Sequence, residues 1–197
     1  MNRKYELTNE TKEVFGKTLH RIRALKAFGD VETGELGGWI EREENLSQEG
    51  LCWVSDDGWV SDDARVSGDA WVFGNGQVSG NGQVYGNGRV YGNGRVYGDA
   101  WVFGNGQVFG DAKVCGDMAI QRTRDYLTFG PAGSRNDITT FGSDANGSIL
   151  VCCGCFYGTL EEFARKVEKT HGDNQFGKEY RAAIELAKVR FLTEETK

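Results

Sequence analysis

The stretch GPAGSRND, residues 130–137, gathers side chains that suit an anion. Ser134 brings a hydroxyl, Arg135 a guanidinium and Asn136 an amide, and a tight glycine-containing turn adds backbone N–H groups. That set fits phosphate. Thr139 and Thr140 follow on the next strand with two more hydroxyls. His171, at the break between two predicted helices, joins them if the helices fold back. The same residues also make an ordinary hairpin turn with an arginine on its surface. CCGC, residues 152–155, together with His171 raises the question of zinc. The spacing C-C-x-C is not the C-x-x-C pair of a tetrahedral site and no second pair exists, so no metal is expected. Cysteine as a small buried apolar residue accounts for the cluster better. Five cysteines, three of them at Cys152, Cys153 and Cys155, suit reduced thiols rather than a disulfide framework.

The elements that must carry these residues begin with a repeat. Valine recurs at 54, 60, 66, 72, 78, 84, 90, 96, 102, 108 and 114, and Ile120 extends the period of six. Two residues before almost every valine stands Gly or Ala, and two residues after most of them comes Gly, then Asn or Asp. Alternation along three residues puts the small residue and the valine on one face. Gly-Asn and Gly-Asp make a bend. Short strand and bend, repeated, predict a β-solenoid over residues 51–120. Residues eighteen apart then stack. One outward face collects Trp53, Trp71, Phe73, Tyr91 and Phe109, an aromatic ladder that suits an interface, with a partner or with the chain's own C-terminal helices.

Residues 1–50 read as an N-terminal cap over the open strand edges, with TLHRIRAL (18–25) as a strand entering the solenoid. Residues 121–197 read as a small α+β module. Strand-like runs lie at 126–129, 138–141 and 148–156, and Thr159 with Glu162 forms a capping box opening a first helix. THGDN (170–174) ends it, and Tyr180, Ile184, Ala187 and Phe191 mark a second. With 29 Gly but 1 Pro in 197 residues, the chain has no collagen signature. A net charge of −6 argues against broad nucleic-acid binding, and no apolar run approaches a membrane span. The N-terminus lacks the apolar core of a signal peptide, so a cytoplasmic protein is expected.

The period of six resembles the hexapeptide-repeat superfamily. That likeness implies a mainly β fold, a left-handed parallel β-helix of about four triangular coils, and commonly a homotrimer. It also implies acyl transfer, which needs a histidine base. The chain has only His20 and His171, both outside the hexads, and two histidines cannot make the three-histidine zinc site of related carbonic anhydrases. LHRIRALKAFGDVETGELGGWIEREENLS and the C-terminal FGPAGSRNDITTF…CGCFYGTLEEFARKVEKTHGD resemble segments of proteins from phages and prophages. The reading is a non-enzymatic protein, needing no cofactor, whose solenoid displays a module that binds a small phosphorylated ligand or a host protein. A cyclic nucleotide of host defence signalling is the sharpest form, with Ser134, Arg135, Asn136, Thr139, Thr140 and His171 as the binding set. A virion structural component is the alternative, and an acyltransferase the second.

Overall fold

A computed structural model describes residues 3–192. The chain opens with a hairpin, β1 (Tyr5–Val14) and β2 (Lys17–Ala24), followed by β3 (Leu36–Ile40). Twelve short strands, β4 to β15, then start at residues 53, 59, 65, 71, 77, 83, 89, 95, 101, 107, 113 and 119. They stack in parallel as three sheets, starting from 53, 59 and 65, with every third strand paired in register: Val54 on Val72, Val60 on Val78, Val66 on Val84. The result is the expected mainly β solenoid. It has about five turns rather than four, because the cap segment itself begins to wind. β3 pairs parallel with the strand at Trp59, and Leu46 bridges to Val66. At strand spacing of about 4.8 Å per turn, the prism is roughly 24 Å tall.

The hexad geometry has direct physical causes. Every repeat valine from Val54 to Val114 points inward and is essentially inaccessible, as are Ala64, Ala70, Ala100 and Ala112 beside them. Each buried valine stabilises by about 1.5–3 kcal/mol relative to exposure. Glycine replaces alanine where the wall is closer: a Cβ on Gly76 would stand 2.5 Å from the Val90 carbonyl oxygen. The corner glycines from Gly68 to Gly116 hold φ between +58° and +70°, a region glycine enters without steric cost. In the first coils Asp56 and Asp62 take that corner at φ +54° and +59°. Their carboxylates accept from the corner N–H groups of Gly74 and Gly80, one coil on, at 3.0 and 3.1 Å. Further along, side-chain amides bridge the coils: Asn75 donates to Asn93 at 3.2 Å and Asn93 to Asp111 at 3.0 Å.

Both ends are closed. The hairpin adds antiparallel to β3, extending one sheet to seven strands. Under it the buried Lys4 donates through Nζ to the Cys52 carbonyl at 2.9 Å. At the far end a four-stranded antiparallel sheet, β16 (Tyr126–Ala132), β17 (Asp137–Ser143), β18 (Ile149–Cys153) and β19 (Phe156–Thr159), precedes α1 (Leu160–His171) and α2 (Gln175–Leu192). This sheet is covered on both faces. On one, Thr140 accepts from the Lys113 backbone N–H, Gly142 lies over Met118 and Ile120, and Cys152 is disulfide-bonded to Cys115. On the other, Phe141 and Val151 pack with Leu160, Phe163 and Ile184 of the helices. The Cys115–Cys152 disulfide corrects the expectation of five reduced thiols. The two cysteines are 37 residues apart in sequence, and only the docking of the sheet on the solenoid brings their Cα atoms to 6.4 Å. Among the described residues no helix is long and apolar enough to cross a membrane.

Trp53 requires a second correction. It is wholly buried, edge-on to Phe28 at 5.3 Å and to Tyr5 at 6.3 Å, because the cap folds over the first coil. It therefore belongs to the core rather than to an outward ladder. Trp71 is half-buried. The outward stack of that face is Phe73, Tyr91 and Phe109, with ring centroids 4.8 and 5.2 Å apart, and Tyr126 closes it edge-on.

Candidate functional site

The turn that joins β16 to β17 is fixed by local chemistry. The Asn136 N–H donates to the Gly133 carbonyl at 3.1 Å, and both residues hold positive φ. Gly133 lies against α2: a Cβ there would be 2.0 Å from the Tyr180 hydroxyl, and its N–H donates to Glu179 Oε2 at 3.2 Å. Pinned in this way, the turn aims Ser134 and Arg135 at the hairpin turn between β18 and β19. There Arg135 Nη1 lies 3.8 Å from Cys155 Sγ. Gly154 makes room for it, since a Cβ at that position would be 3.0 Å from the same guanidinium nitrogen.

α1 supplies the opposite wall. Its start is the capping box read from sequence: Thr159 Oγ1 accepts from the Glu162 N–H, and the Thr159 N–H donates to Glu162 Oε2 at 2.8 Å. That hydrogen bonding holds the exposed Glu162 carboxyl below the usual carboxylate range. One face of α1 then presents Lys166, Val167, Thr170 and His171 to the sheet, with Lys166 Nζ 5.2 Å from the Phe156 ring centre. α2 folds back along α1, so that His171 rests 5.7 Å from the Tyr180 ring. Burial pushes the Tyr180 hydroxyl up to about 12, which keeps it a neutral phenol.

Together these elements enclose a cleft of about 140 Å³. Phe156, Phe163, Val167 and Tyr180 give it apolar walls. Ser134, Arg135, Lys166, Thr170 and His171 bring donors to its rim, and Cys153, Gly154, Cys155 and Asp137 complete the lining. The one carboxylate in the lining is engaged elsewhere: Asp137 accepts from Lys113 Nζ at 2.9 and 3.1 Å. That bond holds the Asp137 carboxyl below its ordinary value. A larger groove of about 320 Å³ runs along the solenoid beneath the N-terminal hairpin, past Arg95. Its two lysines, Lys17 and Lys113, are paired with Asp62 and Asp137.

Of the residues expected from sequence, the cleft brings together Ser134, Arg135 and His171. Asn136 shapes the turn but is exposed and stands outside the lining. Thr139 and Thr140 are corrections. Both are fully buried. Thr139 Oγ1 donates to Cys153 Sγ at 3.2 Å, and Thr140 Oγ1 accepts from the Lys113 N–H at 3.0 Å. A sheet covered on both faces leaves neither hydroxyl for a ligand. The residues that sequence reasoning missed are Lys166, Tyr180 and Phe156, and Cys155, expected as a small buried apolar residue, is instead exposed. Lys166 was legible in principle, because it lies four and five residues from Thr170 and His171 on one helical face.

No family model matches the chain. Over 38 residues, 19% of its length, it is 53% identical to an uncharacterized acetyltransferase, YdcK, of Escherichia coli (strain K12). The matched stretch spans 12% of that relative's length. A short likeness to a protein of that description, with parallel coils stacked every eighteen residues, fits a hexapeptide-repeat β-helix.

Proposed function

We propose that the C-terminal cleft binds a small phosphorylated ligand carrying a flat ring, and that the solenoid is a rigid, non-catalytic support for it. The observation that carries this reading is the convergence of Arg135, Lys166, His171 and Ser134 on one cleft with aromatic walls. A guanidinium offers a bidentate fork to phosphate and an ammonium offers a point charge. Phe156, half-buried at the cleft, offers a ring on which a base stacks. A nucleotide combines those features. The finer form of the reading is therefore sequestration of a nucleotide second messenger of host defence, supported also by the resemblance of both ends of the chain to phage and prophage proteins. Self-association through the Phe73–Tyr91–Phe109 stack belongs to the same reading, because stacked rings on an exposed face suit a partner surface.

Calorimetric titration with 3′,5′-cyclic AMP, a cyclic dinucleotide and adenosine tests it. A nucleotide binds, adenosine binds at least about tenfold more weakly, and Arg135→Ala lowers nucleotide affinity by about 10- to 100-fold, the range for a charge-assisted hydrogen bond. The melting temperature of Arg135→Ala stays unchanged, since Arg135 is exposed. No binding by any nucleotide removes the reading and leaves the prism as a structural element, to be sought by mass spectrometry in purified virions. The likeness to a protein described as an acetyltransferase supports a second reading, acyl transfer, which acetyl-CoA turnover checks. His20, the histidine outside the cleft, lies on β2 opposite Ile40.

A further inference from the structure

Three cysteines remain outside the disulfide, and they have three different surroundings. Cys52 is buried under the cap beside Lys4, where burial pushes its thiol up. Cys153 is half-buried, accepting from Thr139 and lying 3.8 Å from the Tyr180 hydroxyl. Cys155 is exposed at the mouth of the cleft, with the Arg135 guanidinium across it. Gly154, between Cys153 and Cys155, holds φ +60°, and a Cβ there would lie 3.0 Å from Arg135 Nη1. The bond from Arg135 holds the Cys155 thiol below its ordinary value, and the charge of Lys166 acts in the same direction. An exposed thiol beside a guanidinium is the setting in which cysteine becomes a nucleophile.

We propose that Cys155 is a reactive thiol that undergoes exchange with small anionic disulfides, whose carboxylates are received by Arg135 and Lys166. The Cys155 sulfur attacks one sulfur of the disulfide. A new S–S bond forms to the protein, the old S–S bond breaks, and its electron pair leaves on the departing thiolate, which takes a proton from water. The protein thiol is oxidised and half of the disulfide is reduced by the same two electrons. The choice of an anionic disulfide rests on the reading of the cleft as an anion site. The reactivity rests on the Arg135–Cys155 contact alone.

The test uses oxidised glutathione as the anionic probe and bis(2-hydroxyethyl) disulfide as the neutral one, at pH 7. Release of the departing thiol gives the rate, and peptide mass spectrometry gives the site. The expected result is modification first at Cys155, about tenfold or more faster with oxidised glutathione than with the neutral disulfide. Arg135→Gln slows it by a similar factor and Cys155→Ser abolishes it. Modification that begins at Cys52 or Cys153, or a rate that Arg135→Gln leaves unchanged, overturns the inference. Nucleotide titration of Cys155→Ser separates it from the reading above, because that variant keeps Arg135, Lys166 and His171. A cleft that binds nucleotide but whose Cys155 exchanges slowly sinks this inference and spares the anion site. Fast, Arg135-dependent exchange with oxidised glutathione in a cleft that binds no nucleotide upholds this inference and removes the other.

Discussion

The solenoid and the C-terminal module bury their residues by opposite rules. In the solenoid each inward valine has the same neighbours as the valine eighteen residues on, one above and one below. In the module each buried residue has its own surroundings: Thr139 meets a cysteine, Thr140 a backbone N–H, Phe141 the ring of Phe163 edge-on at 6.0 Å. Repetition gives a tall, uniform core, but inside it only like residues meet, because the valine at one level stands on the valine of the next. In the irregular module unlike groups meet. Its turn, its hairpin and its first helix bring Ser134, Arg135, Cys155, Lys166 and His171 from three separate elements into one cleft. The uniform core and the cleft thus belong to two regions, joined by the Cys115–Cys152 disulfide and the Lys113–Asp137 pair.

The strongest test of that division is a charge inside the tower. Val84→Asp places a carboxylate between Val66 and Val102, with no partner. It should cost more than about 3 kcal/mol, the range for an uncompensated buried charge, read by guanidinium unfolding followed by circular dichroism. A cost below 1 kcal/mol would break the picture of a tightly closed core. A smaller effect is expected at Thr139→Val. The valine keeps the shape and loses the bond to Cys153, so stability falls by about 1 kcal/mol while nucleotide affinity stays within about twofold. A tenfold loss of affinity would return Thr139 to the binding set. The smallest effect concerns the joint between the regions. The folded Asp137 carboxyl is held below its unfolded value near 3.9. Its contribution is therefore present above that pH and is lost as pH falls through it toward the folded value. The pair is partly exposed, with Asp137 at 37%, so after solvent screening the contribution is under about 1 kcal/mol. The gap between melting curves of the wild type and Asp137→Asn should narrow as pH falls below about 3.9.

The two regions also differed in how legibly the sequence wrote them. The hexads declare themselves because one burial requirement is repeated at every turn. The α1 cap was readable because Thr159 and Glu162 satisfy each other within three residues. Where reading failed, the cause was long-range. Thr139 and Thr140 alternate as a half-open strand should, but the sheet is pressed between solenoid and helices, so both faces are dry. Cys115 belongs to a hexad, and nothing local points it to Cys152. Trp53 occupies the same kind of position as Trp71, yet the cap covers one and not the other. β1, YELTNETKEV, is too polar to announce a strand and forms because it lies at a sheet edge, paired on one side.

The register of eighteen has one more consequence. A duplication of three hexads would lift the module by one level, about 4.8 Å, and return it to the same orientation. A duplication of one hexad would instead swing the module, together with the Lys113 that holds Asp137, about 120° around the prism axis relative to the N-terminal cap. The nearly identical units between 75 and 98 are the kind of segment that copying errors lengthen and shorten. The stalk can therefore change height in whole steps while the cleft stays the same, and only every third step preserves its bearing.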